Sequence, residues 1–221
     1  MGNQTRRTPA AIAKVALENS PADLTPKGAT SRARILDVAA RLFDEAGYHG
    51  TSMQDIVKAA GISKAGIYHY FASKDDILMA IYTLLVDQLI ERQHDHFATP
   101  RSATVILRSM ITDLVDQMDR HPTHYRVFTD IIIGELRRLS PEARQEILGK
   151  RRVIHENFGR AIDLGVQQGE FELSGDRDLV VFGIVGMCWA YQDLDVHPKV
   201  KAAKAAATFS GLILRGLTNQ R

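Results

Sequence analysis

The chain has 221 residues, 45% of them hydrophobic and 24% charged, with a formal net charge of +2; this is the make-up of a soluble globular protein long enough to bury a core. Its one cysteine, Cys188, excludes an intramolecular disulfide framework and points to a reducing, cytoplasmic setting, and no apolar run approaches the roughly 20 residues of a membrane span. The opening residues are basic, but Lys14 interrupts their apolar stretch, so they do not read as a signal peptide.

Residues 1–30 lack a sustained pattern and end in the polar string SPADLTPKGATS, which reads as a mobile arm with a short helix over residues 9–18. Four Lys/Arg stand there against two Asp/Glu, and six against four in residues 31–74, so the positive excess sits in the first third of the chain. From Ser31 the apolar spacing is helical and nowhere alternates with period two. The first helix, residues 31–46, carries Ile35, Val38, Ala39, Leu42 and Phe43 on one face and ends at Gly47. A second starts at Thr51, with Gln54 at the capping-box position, buries Met53, Ile56, Val57 and Ala60, and stops at Gly61. Ser63 caps a third of barely two turns, SKAGIYHYF. Ser73, with Asp76 three residues on, opens a fourth that runs towards His94.

Five more amphipathic segments follow, over residues 102–119, 123–138, about 140–168, 177–194 and 198–218. Pro141 sits at the start of the long one, Asp176 caps the next and Pro198 opens the last. The expected fold class is all-α with about nine helices. Residues 1–30 form the arm, 31–76 a three-helix domain, and 77–221 a helical body.

Three short helices with a glycine-bearing turn between the second and third make a helix-turn-helix arrangement. Spacing by itself also describes a plain packed three-helix corner. In the DNA-binding reading, Ile67 and Phe71, four apart, hold the third helix to the core, and Lys64, Ala65, Tyr68 and His69 lie on the side offered to a major groove. Lys64 reaches a guanine edge or a phosphate. Ala65 and Gly66 let the backbone approach bases, and Tyr68, His69 and Tyr70 supply donors and aromatic surface. Thr51, Ser52 and Lys74 stand at or beside helix N-termini, where free N–H groups favour a phosphate. Arg6, Arg7, Lys14 and Lys27 in the arm have the chemistry of a minor-groove arm, and equally that of a plain tail.

The string RILDVAARLFDEAGYHGTSMQDIVKAAGISKAGIYHYFASKDDIL, Arg34 to Leu78, resembles the DNA-binding domain of the TetR family of repressors. The match lies in the Gly-Tyr-x-Gly-Thr-Ser entry, the Asp-Ile-x-x-x-Ala-Gly-Ile-Ser helix and the closing Tyr-His-Tyr-Phe-x-Ser-Lys. The resemblance implies a two-domain all-α repressor, dimeric through its last two helices, that releases a palindromic operator when a small effector binds in the body. It places DNA contacts at Thr51, Ser52, Ser63, Lys64, Ala65, Gly66, Tyr68, His69, Tyr70 and Lys74, with Lys64, Ala65 and Tyr68 reading bases. Ala65-Gly66 stands where many members carry Gly and then a larger residue.

In the body, Met110, Met118, Phe128, Phe158, Phe182, Met187 and Trp189 are the candidates to line a ligand pocket; the same spacing suits ordinary core. GELRRLSPEARQEI and GVQQGEF resemble the branch of the family that senses acyl-CoA thioesters, which implies that Arg126, Arg137, Arg138 and Arg144 meet coenzyme A phosphates. WAYQDLDVHP departs from the Trp-Tyr-x-Pro-like ending of that branch. The pairs His94/His96 and His121/His124 raise a metal effector as an alternative, although zinc needs three or four ligands. With no Gly-rich phosphate loop, no G-x-S-x-G and no H-E-x-x-H, neither a catalytic residue nor a cofactor is expected. The helices show no basic amphipathic face for a membrane surface.

Overall fold

The computed structural model describes residues 26–130, 136–192 and 200–218. The expected arm over residues 1–30 falls almost wholly outside them. Among the described residues there are nine α-helices and no strand: α1 Pro26–Ala46, α2 Met53–Ala60, α3 Lys64–Tyr70, α4 Lys74–His96, α5 Ala103–Arg120, α6 Pro122–Asp130, α7 Pro141–Gln167, α8 Arg177–Trp189 and α9 Ala202–Leu217. They fall into two compact units. The first runs through Leu84 and takes in Arg126–Ala143; the second comprises Leu85–Tyr125 and Arg144 onward. Helix α4 starts in the first unit and ends in the second.

In the first unit Ile35, Ala39, Phe43, Ile56, Ala60, Ile67, Phe71, Ile77 and Ile81 make one buried layer. Helix α1 begins earlier than its apolar stripe predicts, because its first turn carries none of the stripe. Two glycines close helices with positive φ: Gly47 at 75° after α1 and Gly61 at 62° after α2. The Gly61 N–H donates to Lys58 O and the Ile62 N–H to Val57 O, which satisfies the last carbonyls of α2 and turns the chain towards α3. Of the helix expected over 123–138, the described residues give α6 as far as Asp130 and a 3-10 turn at Leu136–Arg138, and residues 131–135 lie outside them. On α6, Phe128 stacks on Tyr82 with ring centroids 4.6 Å apart.

In the second unit α5 carries a stripe of Ile106, Leu107, Met110, Ile111, Leu114 and Met118, all nearly or fully buried, and packs along α9. Small residues on α9 (Ala202, Ala205, Ala206 and Ser210) are buried there, which lets the two helices run close. The chain after α7 caps α5: Glu170 accepts from the Ser102 hydroxyl and the Thr104 N–H, both at 2.9 Å, and Gln168 accepts from the Ala103 N–H at 2.9 Å. Helix α9 starts at Ala202, later than the expected opening at Pro198, a residue outside the described ones. Cys188 is buried, and burial pushes its thiol up to about 12, so it is an inert core side chain.

Candidate nucleic-acid interface

The third helix is short, and its position is set by three anchors. Ile67 is fully buried and Phe71 is 4% exposed, so one face is fixed in the core. The Arg32 guanidinium lies 5.3 Å from the Phe71 ring centre. At its start the Ser63 hydroxyl oxygen accepts from the Gly66 N–H at 3.0 Å. The opposite face presents Lys64, Ala65, Tyr68 and His69, all exposed, with Gly66 and Tyr70 half-buried beside them. Tyr68, a large ring, is 46% exposed. A Cβ on Gly66 would sit 3.1 Å from the Ser63 hydroxyl, so glycine there protects the cap as well as leaving room for a base edge.

Helix α2 is capped one residue later than its sequence suggests. Ser52, not Thr51, is the N-cap. Its hydroxyl oxygen accepts from the Asp55 N–H at 3.2 Å, and the Asp55 carboxylate accepts from the Ser52 N–H at 2.9 Å. The ionised carboxylate at Asp55 is a better acceptor than the neutral amide of Gln54, which stays exposed. The Ser52 hydroxyl, and then its N–H, hold the Asp55 carboxyl below its ordinary value. Thr51 turns inward: it is 3% exposed and donates its hydroxyl to Leu42 O and Gly47 O at 3.1 and 3.0 Å. Ser52 is left on the surface.

Lys74 also has a structural position. Its ammonium donates to Tyr48 O at 2.6 Å and Thr51 O at 2.7 Å, and lies 4.2 Å over the Tyr48 ring. The Tyr48 hydroxyl in turn donates to Asp75. The first turn of α4 is thereby tied to the loop that carries Thr51 and Ser52. Ser73 and Asp76 form the reciprocal cap expected of them, at 2.9 and 3.1 Å. No local pattern signals the Tyr48–Asp75–Lys74 array, since Lys74 and Asp75 lie 26 and 27 residues beyond Tyr48. The Ser52–Asp55 cap was visible as a spacing, in competition with Thr51–Gln54.

The seven pocket candidates of the body stand in different settings. Met110, Met118 and Phe158 are core of the second unit, at most 1% exposed. Phe128 belongs to the first unit. Phe182 is 58% exposed with the His155 ring 4.6 Å from it; Met187 and Trp189 are half-buried, with the Arg151 guanidinium 5.0 Å over the Trp189 ring. Phe182 does wall a groove of about 710 Å³, with Leu148, Arg151, Arg152, His155 and Arg177. Burial, and then the charge of Arg151, lower the His155 imidazole from its ordinary value. Of the four arginines set aside for phosphates, Arg126 is held by both oxygens of Asp44, at 2.9 and 2.6 Å. Arg137 and Arg144 are exposed, and the side chain of Arg138 lies outside the described residues.

His96 pairs with Asp113 at 2.7 Å, while His121 and His124 meet edge to face. Among the described residues no three His, Cys, Asp or Glu side chains gather as a metal site, and no helix is long and apolar enough to cross a membrane.

Residues 35–81 match the model of the bacterial regulatory proteins of the tetR family, and residues 100–217 match that of the tetracyclin repressor-like C-terminal domain. The HTH-type transcriptional repressor KstR2 of Rhodococcus jostii is 26% identical over 90% of this chain and 97% of its own length. Among solved structures, the TetR family transcriptional regulator PfmR of Thermus thermophilus is 30% identical, with a TM-score of 0.74 over 84% of this chain and all of that one. AibR, in complex with isovaleryl coenzyme A and operator DNA, is 26% identical, with a TM-score of 0.69 over 82% of this chain and 97% of that one.

Proposed function

The chain belongs to the TetR family of bacterial regulatory proteins, and from that premise we propose that it is a homodimeric repressor that holds a palindromic operator through α2 and α3 and lets go when a small molecule occupies its second unit. The observation that carries the DNA-binding half is the outward face of α3. A helix anchored through Ile67 and Phe71 turns Lys64, Ala65, Tyr68 and His69 to solvent with no packing role. In this reading Lys64, Ala65 and Tyr68 meet base edges. Ser52, Ser63, His69 and Tyr70 meet phosphates, with Gly66 letting the backbone close on the groove. Lys74 and Thr51 serve mainly by holding the loop that presents Ser52.

A single module of this kind binds DNA weakly, and two tethered modules multiply through effective concentration. The partner face is the exposed side of the last two helices. Leu179 and Phe182 are 70% and 58% exposed on α8, with Gly183 and Gly186 beside them, and Leu212 is 50% exposed on α9. Val185, Ile213, Leu214 and Leu217, on the inner sides of the same helices, belong to the chain's own core. Exposed apolar residues at helical spacing suit a two-fold, isologous contact.

The effector is an acyl-CoA thioester in this proposal. AibR, solved with isovaleryl coenzyme A, supports the class. Release follows from linkage: a ligand lowers DNA affinity by its differential affinity for the state whose two α3 helices are wrongly spaced, and by no more.

The test is fluorescence anisotropy with the intergenic DNA beside the protein's own gene, at two salt concentrations, with unrelated DNA as control. Tight, salt-sensitive binding to that fragment alone, reversed by isovaleryl- or a longer acyl-CoA but not by free coenzyme A, supports the proposal. Equal weak binding to both DNAs, at either salt, counts against it.

A further inference from the structure

Helix α1 carries two arginines two residues apart, and their surroundings differ. Arg32 is half-buried, with its guanidinium 5.3 Å from the ring centre of Phe71, just past the end of α3. It is part of the packing that holds that helix. Arg34 is exposed, yet it lies against the turn that leads into α3: a Cβ on Gly61 would meet its Nη2 at 3.0 Å. Glycine is therefore needed at position 61 twice, for the positive φ of 62° and for the room the guanidinium takes.

Arg34 has no acidic partner among the described residues. Asp37, one turn further along α1, is paired with Arg41 at 3.3 Å. The Asp55 carboxylate accepts from the N–H and the hydroxyl of Ser52. The turn itself is flanked by positive charge. Lys58 stands three residues before Gly61 and Lys64 three after, both exposed, and no Asp or Glu lies between them. Like charges gathered at one turn repel, and an anion bound there offsets the repulsion.

The residues that follow the turn, Ser63 and Lys64, open the helix offered to the operator, so the anion on this side of α3 is a DNA phosphate. A guanidinium suits it, because its planar fork gives a phosphate two parallel N–H donors.

We infer that α1 is a third DNA-contacting element, in which Arg34 takes a backbone phosphate next to the position that Lys64 reaches. The contact adds affinity and fixes the approach of α3 without reading sequence. The inference rests on the reading of α3 as the operator-binding helix and adds a residue to that site from outside α2 and α3.

The test is binding of the full-length protein to the intergenic fragment, to single-base variants of it and to unrelated DNA, at several salt concentrations, with thermal unfolding alongside. Arg34→Gln removes the charge and Arg34→Lys keeps it. Arg41→Gln is the control: it removes the same charge from the same helix, where Asp37 already holds it. Arg34→Gln flattens the salt slope by about one per bound protomer, and weakens binding at about 0.1 M salt by roughly tenfold for each. It leaves the melt and the ranking of the single-base variants unchanged. Arg34→Lys restores the slope, and Arg41→Gln does not alter it. A slope indifferent to Arg34→Gln, an equal flattening by Arg41→Gln, a slope that Arg34→Lys fails to restore, a changed ranking or a lowered melt would each overturn the inference. If the parent binds the intergenic fragment tightly and one of these is found, the inference alone fails. If the parent prefers neither DNA, the reading of α3 fails and the inference with it.

Discussion

Replacing Lys74 with methionine distinguishes a phosphate ligand from a structural tie. Methionine keeps most of the apolar stem and removes the charge. The lost contacts are two short bonds from the ammonium, to Tyr48 O and Thr51 O at 2.6 and 2.7 Å, and the approach to the Tyr48 ring at 4.2 Å. A hydrogen bond to a charged group is worth about 1.5–3 kcal/mol when desolvated, and an exposed cation–π contact about 0.5–1 kcal/mol. Lys74 is half-buried, so water makes up part of the loss, and a net cost of about 2–3 kcal/mol is expected. For a chain of this size that lowers Tm by roughly 4–12 °C. The assay is thermal unfolding by circular dichroism beside operator binding at several salt concentrations, with Lys64→Ala in parallel. Lys64 is exposed on the outer face of α3. Its variant should unfold within about 0.5 kcal/mol of the parent, flatten the salt slope by about one and blur the preferred sequence. Lys74→Met should weaken binding at every salt in parallel. An unchanged melt with a slope flatter by one would refute the structural account and make Lys74 a phosphate ligand.

Thr51→Val removes the buried hydroxyl and leaves Leu42 O and Gly47 O without it; a loss of about 1–2 kcal/mol is expected by denaturant unfolding, with the salt slope of DNA binding unchanged. Because the Ser52 hydroxyl and N–H lower the folded pKa of Asp55, the cap is at full strength at neutral pH, above the unfolded value, and is lost as pH falls through the folded value. The Ser52 amide resonance should therefore titrate below the ordinary carboxylate range, and a midpoint at or above it would refute the cap. Phe182→Glu sets two like charges on a two-fold contact. Sedimentation equilibrium should show monomer, with operator affinity reduced about a hundredfold, and a variant that remains dimeric would move the partner face elsewhere.

What the sequence disclosed depended on the range of the interaction. The α3 helix is written in adjacent letters: Ser63 caps it, and Ile67 and Phe71 anchor it four residues apart. Local signals located α2 equally well, yet its cap was misplaced by one residue. Thr51 and Ser52 are chemically interchangeable as N-caps. Only the tertiary pull of Leu42 O and Gly47 O on the Thr51 hydroxyl decides between them. Lys74 shows the same limit. Its position just inside a helix start suggests a phosphate, and the carbonyls that claim it come from a loop more than 20 residues earlier. Of the side-chain placements, those on one face of one short helix were legible, and those settled by long-range partners were not.

The second unit sharpens the point. Bulky apolar letters were its only available pocket signal, and on a helix these mark core and cavity alike. Met110 and Phe158 are fully buried, and Phe128 belongs to the other unit. Packing alone does not require cations grouped on an apolar groove, as Arg151 and Arg152 are beside Phe182, or a buried donor without an acceptor among the described residues, as Gln93 Nε2 is. Neither is a pattern along the chain, since each depends on which helix faces which. Gln93 and Asn157 lie 64 residues apart and read singly as unremarkable polar letters on amphipathic helices. Their burial together makes them informative, because two amides in a core are tolerable when fully paired and a cost when they are not. Effector chemistry in such a protein is thus best sought among its misfits of polarity, and the operator-reading face among its surface letters.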